Sequence, residues 1–313
     1  METFSIIFPG QGSQKIGMLC DYYEKFNEMQ DVFEEASEIL KINLWKIVQN
    51  NEKILNQTEF TQPILLAASI GIWRVLCRNI DTNKINIMAG HSLGEYAALC
   101  AAKSITFSDA IKLVRLRGQL MQNATLTDKY GMSVIMGISS KKIKKICLQT
   151  KNIGILEISS FNSNTQTVIS GEGGALKKAN KLAREIGAKY TKIIPVSIPA
   201  HCSLMKQLSK PFSKFLETIK LQNPEIKIIH NCDGKIKASE SEIKRALIKQ
   251  LYQPVQWVKI VDKIIKQHST DTVIECGPGK ILTTLGKNMN RKNRFLDTSK
   301  IESLARIFQI LKK

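Results

Sequence analysis

Histidine is scarce in this chain: His91, His201, His230 and His268 are the four in 313 residues. Chemistry that needs a base titrating near neutral pH therefore has few places to sit. Cysteine offers no metal site, because the seven cysteines (20, 77, 100, 147, 202, 232 and 276) are scattered singly with no C-x-x-C pair. That pattern fits reduced, mostly buried thiols and no zinc. Acidic residues are outnumbered, 27 Asp and Glu against 46 Lys and Arg, for a net charge of +19. The lysine pairs at 141-142, 144-145 and 177-178 have no aromatic or glycine pattern around them, so nucleic-acid readout is not expected. Glu2 leads into a strand-like run rather than a basic n-region, so no signal peptide is read and the cytoplasm is the expected compartment. The longest apolar stretch, Ile64 to Trp73, ends at Arg74 and is too short to cross a bilayer. Internal repeats and low-complexity linkers are absent as well.

Against those absences stands Gly90-His91-Ser92-Leu93-Gly94, which follows the apolar run Ile85 to Ala89 and opens the helix-like stretch Glu95 to Lys103. A G-x-S-x-G between strand and helix is a nucleophile elbow. Its glycines allow the tight turn that lifts the hydroxyl clear of the backbone, and the helix start offers unpaired N–H groups to developing negative charge. Acyl transfer through a serine ester is the chemistry this suits.

The serine needs a base. His91 sits beside Ser92, where neighbouring side chains diverge, so it is assigned to supporting the turn. His268 lies in the polar stretch Lys266 to Thr270 and reads as surface. His230 ends the apolar run Ile226 to Ile229, as a core or strand-end histidine. His201 follows Val196-Ser197-Ile198-Pro199-Ala200, where a strand gives way to a loop. Position favours His201, with His230 the other candidate. No carboxylate stands out as a third member, and His201 comes too early for the Ser, acid, His order of an α/β-hydrolase. A backbone carbonyl can orient a histidine instead, since only an acceptor for the second ring N–H is required.

The chain from 129 to 197 reads as strand (Met132 to Ile138), helix (Ser140 to Gln149), strand (Ile153 to Ser159), strand (Gln166 to Ser170), helix (Ala175 to Ile186) and strand (Tyr190 to Val196), a βαββαβ order of the ferredoxin-like kind. The flanks, 1–128 and 198–313, alternate strands and helices as in a mostly parallel sheet. The expected architecture is an α/β, hydrolase-like domain with an inserted smaller subdomain, and the site lies in the cleft between them. A helix start is read at Thr61-Gln62-Pro63, a cap with proline in the first turn.

Two glycine-rich segments are not phosphate loops. After Gly10-x-Gly12, position 15 is lysine where a dinucleotide fingerprint needs glycine, and Gly279-Lys280-Ile281 lacks the Ser or Thr and the upstream glycine. The first fits better as a close backbone approach to a thioester oxygen. Arg115 and Arg117 belong to the amphipathic stretch Ser108 to Asn123, with Ile111, Val114, Gly118 and Met121 on one side. Being two apart they face differently, so one can be solvated while the other turns inward. Cys202, beside His201, is set aside as nucleophile because adjacent side chains diverge.

Six blocks carry a family resemblance: Phe8-Pro9-Gly10-Gln11-Gly12-Ser13-Gln14, the elbow with Glu95-Tyr96, Arg117-Gly118 with Met121-Gln122, Pro199-Ala200-His201-Cys202, Gln250-Leu251-Tyr252 with Pro254-Val255-Gln256-Trp257, and Glu275 with Gly277-Pro278-Gly279. Together, and in this order, they resemble the bacterial malonyl-CoA:acyl-carrier-protein transacylases over essentially the whole chain. The resemblance implies Ser92 as nucleophile, His201 as base, the Gln250 main-chain carbonyl as its orienting acceptor, and an oxyanion hole from the N–H groups of Gln11 and Leu93. It also implies that Arg117 pairs the free malonyl carboxylate bidentately, with Met121 and Asn162 as further substrate-binding positions. Two departures touch no reacting group: Ser163-Asn164-Thr165-Gln166 stands where the family usually has Ser-Pro-Gly-Gln, and Ala200 where serine is common.

The implied reaction is ping-pong malonyl transfer, supplying malonyl-ACP for fatty acid synthesis. Coenzyme A thioester and the 4'-phosphopantetheine of acyl carrier protein are its substrates, and no permanently bound cofactor or metal is expected. Acyl carrier proteins are acidic as a class, so part of the basic surface has a partner to steer, the rest reflecting a Lys-, Ile- and Asn-rich composition. A monomer without membrane or nucleic-acid contacts is expected. A serine (thio)esterase that uses water, and an inactive carrier-binding module, are the alternatives.

Overall fold

Short apolar segments that alternate with helices become strands, and those covered on both faces need no polar side. The computed structural model describes residues 3–124, 130–194, 196, 198–267, 270–290 and 292–311. Its strands are β1 (Phe4–Phe8), β2 (Ile85–Gly90), β3 (Tyr130–Met136), β4 (Leu156–Ser163), β5 (Gln166–Glu172), β6 (Tyr190–Ile194), β7 (Ile228–Ile229), β8 (Thr272–Glu275) and β9 (Arg294–Asp297). Five form one sheet in the order β7-β2-β1-β8-β9, every pair parallel. All five residues of β1 are buried, as expected of a central parallel strand covered by helices on both faces.

The other four strands form an antiparallel sheet in the order β4-β5-β3-β6. Helices Ser140–Gln149 and Gly173–Glu185 pack on it through Ile143, Ile146, Leu176 and Ala179. This is the βαββαβ insert read from the sequence. β4 starts at Leu156, three residues after the expected Ile153, because Thr150 ends the preceding helix and its carbonyl takes the N–H groups of Ile153 and Gly154 in a turn. The expected division points at 128/129 and 197 fall on residues outside those described, as does His268.

The insert is stitched to the larger part by main chain. Val255 donates to Ser159 O at 2.9 Å and accepts from the Phe161 N–H at 3.0 Å. A loop of the larger part is thereby fixed beside β4, and the small sheet's other face is left over the ends of β1 and β2.

Helix Thr58–Cys77 is capped at Gln57, four residues before the expected cap Thr61, so Pro63 lies inside it rather than in its first turn. Proline cannot donate to the Glu59 carbonyl. Arg115 Nη1 does so instead, at 2.9 Å, while its Nη2 pairs with Glu59 Oε2 at 2.7 Å and its guanidinium covers the Phe60 ring at 4.2 Å. Arg115 and Arg117 face differently, as their spacing requires, and neither is left in solvent. The same helix is long and apolar enough to span a bilayer, but 83% of that window is buried inside the protein. It is a core helix, longer than the apolar run Ile64 to Trp73 by itself indicated.

Candidate active site

Two glycines make the elbow sterically possible. A Cβ on Gly90 would stand 1.9 Å from the Gly94 carbonyl carbon, and one on Gly94 would stand 2.1 Å from Phe8 O. Between them Ser92 takes a φ of 52°, left-handed and unfavourable for a residue with a side chain. Strain of that kind persists only where neighbours over-determine it. The turn thus directs the hydroxyl away from β2 and into the cleft below the insert.

His201 meets it there. Its Nε2 is 2.7 Å from Ser92 Oγ, and its Nδ1 is 2.7 Å from the Gln250 carbonyl oxygen. A carbonyl only accepts, so Nδ1 carries the proton and Nε2 accepts from the serine hydroxyl. Burial, and then the Arg117 cation, push the His201 pKa down to about 3. The imidazole is therefore neutral and able to take a proton at neutral pH. His201 itself holds a left-handed φ of 61°, and its N–H donates to Leu251 O at 3.2 Å.

Arg117, 2% exposed, reaches the same hydroxyl. Nη2 is 3.2 Å from Ser92 Oγ and 3.1 Å from Gln250 Oε1, and Nη1 donates to Gln62 Oε1 at 2.8 Å. The Gln62 amide also lies 3.6 Å from Met121 Sδ, so Met121 and Arg117 share a support on helix Thr58–Cys77. Gly118 makes the approach possible, since a Cβ there would stand 2.6 Å from Glu59 Cα. The N–H groups of Gln11 and Leu93 both border the cleft, and among the described residues no protein acceptor takes either of them. The cleft encloses about 560 Å³ between the parallel sheet's strand ends and the insert.

His91 supports the turn, as expected, but through the insert. Its Nε2 lies 2.9 Å from Asn162 Oδ1 and 3.1 Å from Ser160 Oγ on β4, and its ring meets Trp257 edge-on at 5.4 Å. Burial lowers its pKa. Asn162 thus braces His91 at the cleft wall. His230, the other candidate base, is 0% exposed beneath the elbow and contacts Glu95 Oε1 at 2.6 Å through Nδ1, away from the serine hydroxyl.

Sequence reasoning missed the rest of that support. Glu95 also accepts from the Asn231 N–H at 3.1 Å and from Gln250 Nε2 at 2.8 Å, and Gln250 Nε2 donates to Ser92 O at 2.9 Å. Gln250 was assigned through its main-chain carbonyl alone, yet its side chain joins Arg117, Ser92 and Glu95. Glu95 lay in a quoted block, so its acidity inside an otherwise apolar helix was a signal. Asn231 and Gln62 left none. Among the described residues, no group of three or more His, Cys, Asp or Glu side chains is placed to hold a metal.

A serine on an elbow, engaged by a neutral histidine and facing a cleft roofed by a ferredoxin-like insert, is the arrangement of a serine acyltransferase. A family model described as an acyl transferase domain matches residues 5–305. The chain is 41% identical over 290 residues to the malonyl CoA-acyl carrier protein transacylase of Haemophilus influenzae, covering 92% of this chain and 93% of that one. An acyl carrier protein S-malonyltransferase from Vibrio cholerae superposes with a TM-score of 0.93 at 41% identity, covering 98% of this chain and 100% of the other. A malonyl-transacylase solved in complex with a type II PKS acyl-carrier protein superposes with a TM-score of 0.96 at 39% identity, over 99% and 100% of the two chains. This chain belongs to the bacterial malonyl-CoA:acyl-carrier-protein transacylases.

Proposed function

We propose that the protein transfers the malonyl group from malonyl-CoA to the phosphopantetheine thiol of an acyl carrier protein, through a malonyl ester on Ser92. The observation that carries this reading is Arg117 Nη2 at 3.2 Å from Ser92 Oγ. A malonyl ester on that oxygen carries its second carboxylate close beyond the ester carbonyl, within reach of a buried guanidinium. An acetyl ester has nothing to offer it.

In the first half-reaction His201 Nε2 takes the Ser92 proton as Oγ attacks the thioester carbonyl. The oxyanion is held by the N–H groups of Gln11 and Leu93, donors that typically contribute about 3 to 4 kcal/mol each. Collapse breaks the carbon–sulfur bond, and coenzyme A leaves as a thiol with the proton from His201. In the second half the pantetheine thiol gives its proton to His201 and attacks the ester. The same N–H groups hold the second oxyanion, and Ser92 departs with the proton restored. Imidazolium forms only transiently, with its Nδ1–H on the Gln250 carbonyl.

Met121 and Asn162 line the cleft and are assigned to its acyl-binding part. The insert, taken as 129–197, acts as its roof, and no second chain is needed to complete the proposed catalytic groups, which is consistent with a monomer. Its substrates place it in the cytoplasm.

The test is intact mass after brief mixing with malonyl-CoA, for wild type and Ser92→Ala, followed by holo acyl carrier protein. One malonyl group gained only with Ser92 present, then passed to the carrier, is the expected result. An adduct that goes only to water would make the protein a hydrolase, and no adduct would remove Ser92 as nucleophile.

A further inference from the structure

The strained backbone of Ser92 is held by a residue that neither proton transfer nor carboxylate recognition uses. Asn231 lies just past β7, whose Ile228 and Ile229 pair with Met88 and Ala89 of β2. That pairing brings the Asn231 amide to the end of β2. Its Oδ1 accepts from the Ser92 N–H at 2.6 Å, and its Nδ2 donates to the Gly90 carbonyl at 2.6 Å. Its main chain is fixed from two further elements: its N–H donates to Glu95 Oε2 at 3.1 Å, and its carbonyl accepts from the Gln256 N–H at 2.9 Å. The side chain is 1% exposed, so water is no substitute for either bond.

We propose that Asn231 is the positioning residue of the nucleophile: its amide clamps Gly90 and Ser92 across the elbow and so holds Oγ on the line to His201 Nε2. The clamp needs a donor and an acceptor on one short planar group, which asparagine has and neither aspartate nor alanine has. It also commits the Ser92 N–H, which leaves the N–H groups of Gln11 and Leu93 to receive the oxyanion. The hydrogen bonds of Asn231 go to the Ser92 N–H, the Gly90 carbonyl, Glu95 and the Gln256 N–H, and none to Ser92 Oγ, His201 or Arg117. Its loss therefore alters the rate of acylation rather than the binding of malonyl-CoA.

This inference rests on Ser92 being the nucleophile. The experiment measures acylation by malonyl-CoA and steady-state kcat and KM for the full chain, as wild type, Ser92→Ala, Asn231→Ala and Asn231→Asp, between pH 5 and pH 8.5, with thermal unfolding of each. A displaced nucleophile costs on the order of a hundredfold in rate. Asn231→Ala is expected to lose about that in kcat with KM unchanged. Asn231→Asp keeps the acceptor but sets an anion against the Gly90 carbonyl. Its protonated form has both a donor and an acceptor, so its activity is expected to climb as pH falls. The charged or titratable groups around this position are Glu95 on the elbow helix, His230, Cys232 and Asp233 on its own loop, the last paired with Lys237 at 2.9 Å, and His201 and Arg117 beyond Ser92.

A kcat for Asn231→Ala close to wild type, a loss confined to KM, or a pH profile of Asn231→Asp that parallels wild type would each overturn the proposal. Should both variants fail to fold, amide exchange at Ser92 in the wild-type protein decides: a protected N–H supports the clamp, and one exchanging as fast as open loop refutes it. Acylation of Ser92→Ala would instead sink the reading of Ser92 while leaving the clamp geometry measurable by exchange.

Discussion

Arg117 donates to the Oγ of Ser92 at 3.2 Å, so the cation that would receive the substrate carboxylate already engages the nucleophile in the free protein. The same cation holds the His201 pKa down, second only to burial. In the proposed reaction a malonyl carboxylate would neutralise the cation, and recognition of the acyl group would thereby relieve a restraint on the base. An uncharged acyl group leaves it in place.

Arg117→Ala is therefore expected to lower kcat/KM for malonyl-CoA by roughly a hundredfold, the loss of a buried charge-assisted pair of about 3 kcal/mol. Acetyl-CoA, which never had the pair, is expected to lose little. Measured kcat/KM for the two donors checks it, and an unchanged ratio would remove Arg117 as the selectivity determinant.

Single-turnover acylation is expected to be level between about pH 5 and pH 8, because a base with a pKa of about 3 is already deprotonated there. With Arg117 removed, one of the two main causes of the depression is gone, so the acid limb moves up toward the ordinary histidine value of 6.5. A limb that stays in place would detach Arg117 from the basicity of His201.

Glu275 is fully buried at the end of β8, where its carboxyl accepts from the N–H groups of Leu282 at 3.1 Å and Thr283 at 2.7 Å. Burial, opposed in part by those bonds, raises its pKa from 4.5 to about 7. A raised carboxyl pKa means that the folded state keeps a proton the unfolded chain has lost, so this group's contribution to stability falls as pH rises from 4.5 to 7. His201 acts oppositely: kept neutral on folding, it makes stability rise with pH between 3 and 6.5. Where the windows overlap the two slopes offset. Glu275→Gln removes one of them, and its Tm is expected to climb with pH between about 4.5 and 6.5 where wild type stays nearly level. Parallel Tm profiles would show that Glu275 does not titrate there.

Gly118→Ala is expected to destabilise the protein by about 1 to 3 kcal/mol, the usual cost of overpacking a core. The added methyl meets backbone, Glu59 Cα at 2.6 Å and Thr58 O at 2.7 Å, rather than a side chain that could turn aside. Urea denaturation would give a lower midpoint with an unchanged m-value. Because Arg117 is the neighbouring residue, kcat/KM for malonyl-CoA is expected to fall as well.

Much of the chemistry was legible because it is local. Gly90, Ser92 and Gly94 are spaced as a tight turn requires, and the few histidines left little choice of base. The alternation of elements from Tyr130 to Ile194 carried the insert topology without any long-range information. Helix Thr58–Cys77 was misjudged because proline ordinarily marks a first turn, and its tolerance here depends on Arg115, 56 residues from the carbonyl it occupies. The surroundings of Arg115 were illegible for the same reason: two residues of one helix reveal that they face apart, but not what either faces.

The sequence by itself determined the elbow, that Ser92, His201 and Arg117 are the residues to look for at one site, the two-part α/β architecture and the family, since each is written in short-range spacing or in the order of blocks. Only the tertiary structure decided what holds them. The Asn231 amide lies 139 residues from the N–H it receives, and the Gln250 side chain 155 from Glu95. His91 reaches Asn162 across 71. Hydrogen bonds of that reach leave no periodicity and no motif, because a donor and an acceptor so far apart meet only once strand order and helix packing have placed them. The physical reason is directional: a hydrogen bond requires both partners within about 3 Å and aligned, a condition set by the fold as a whole.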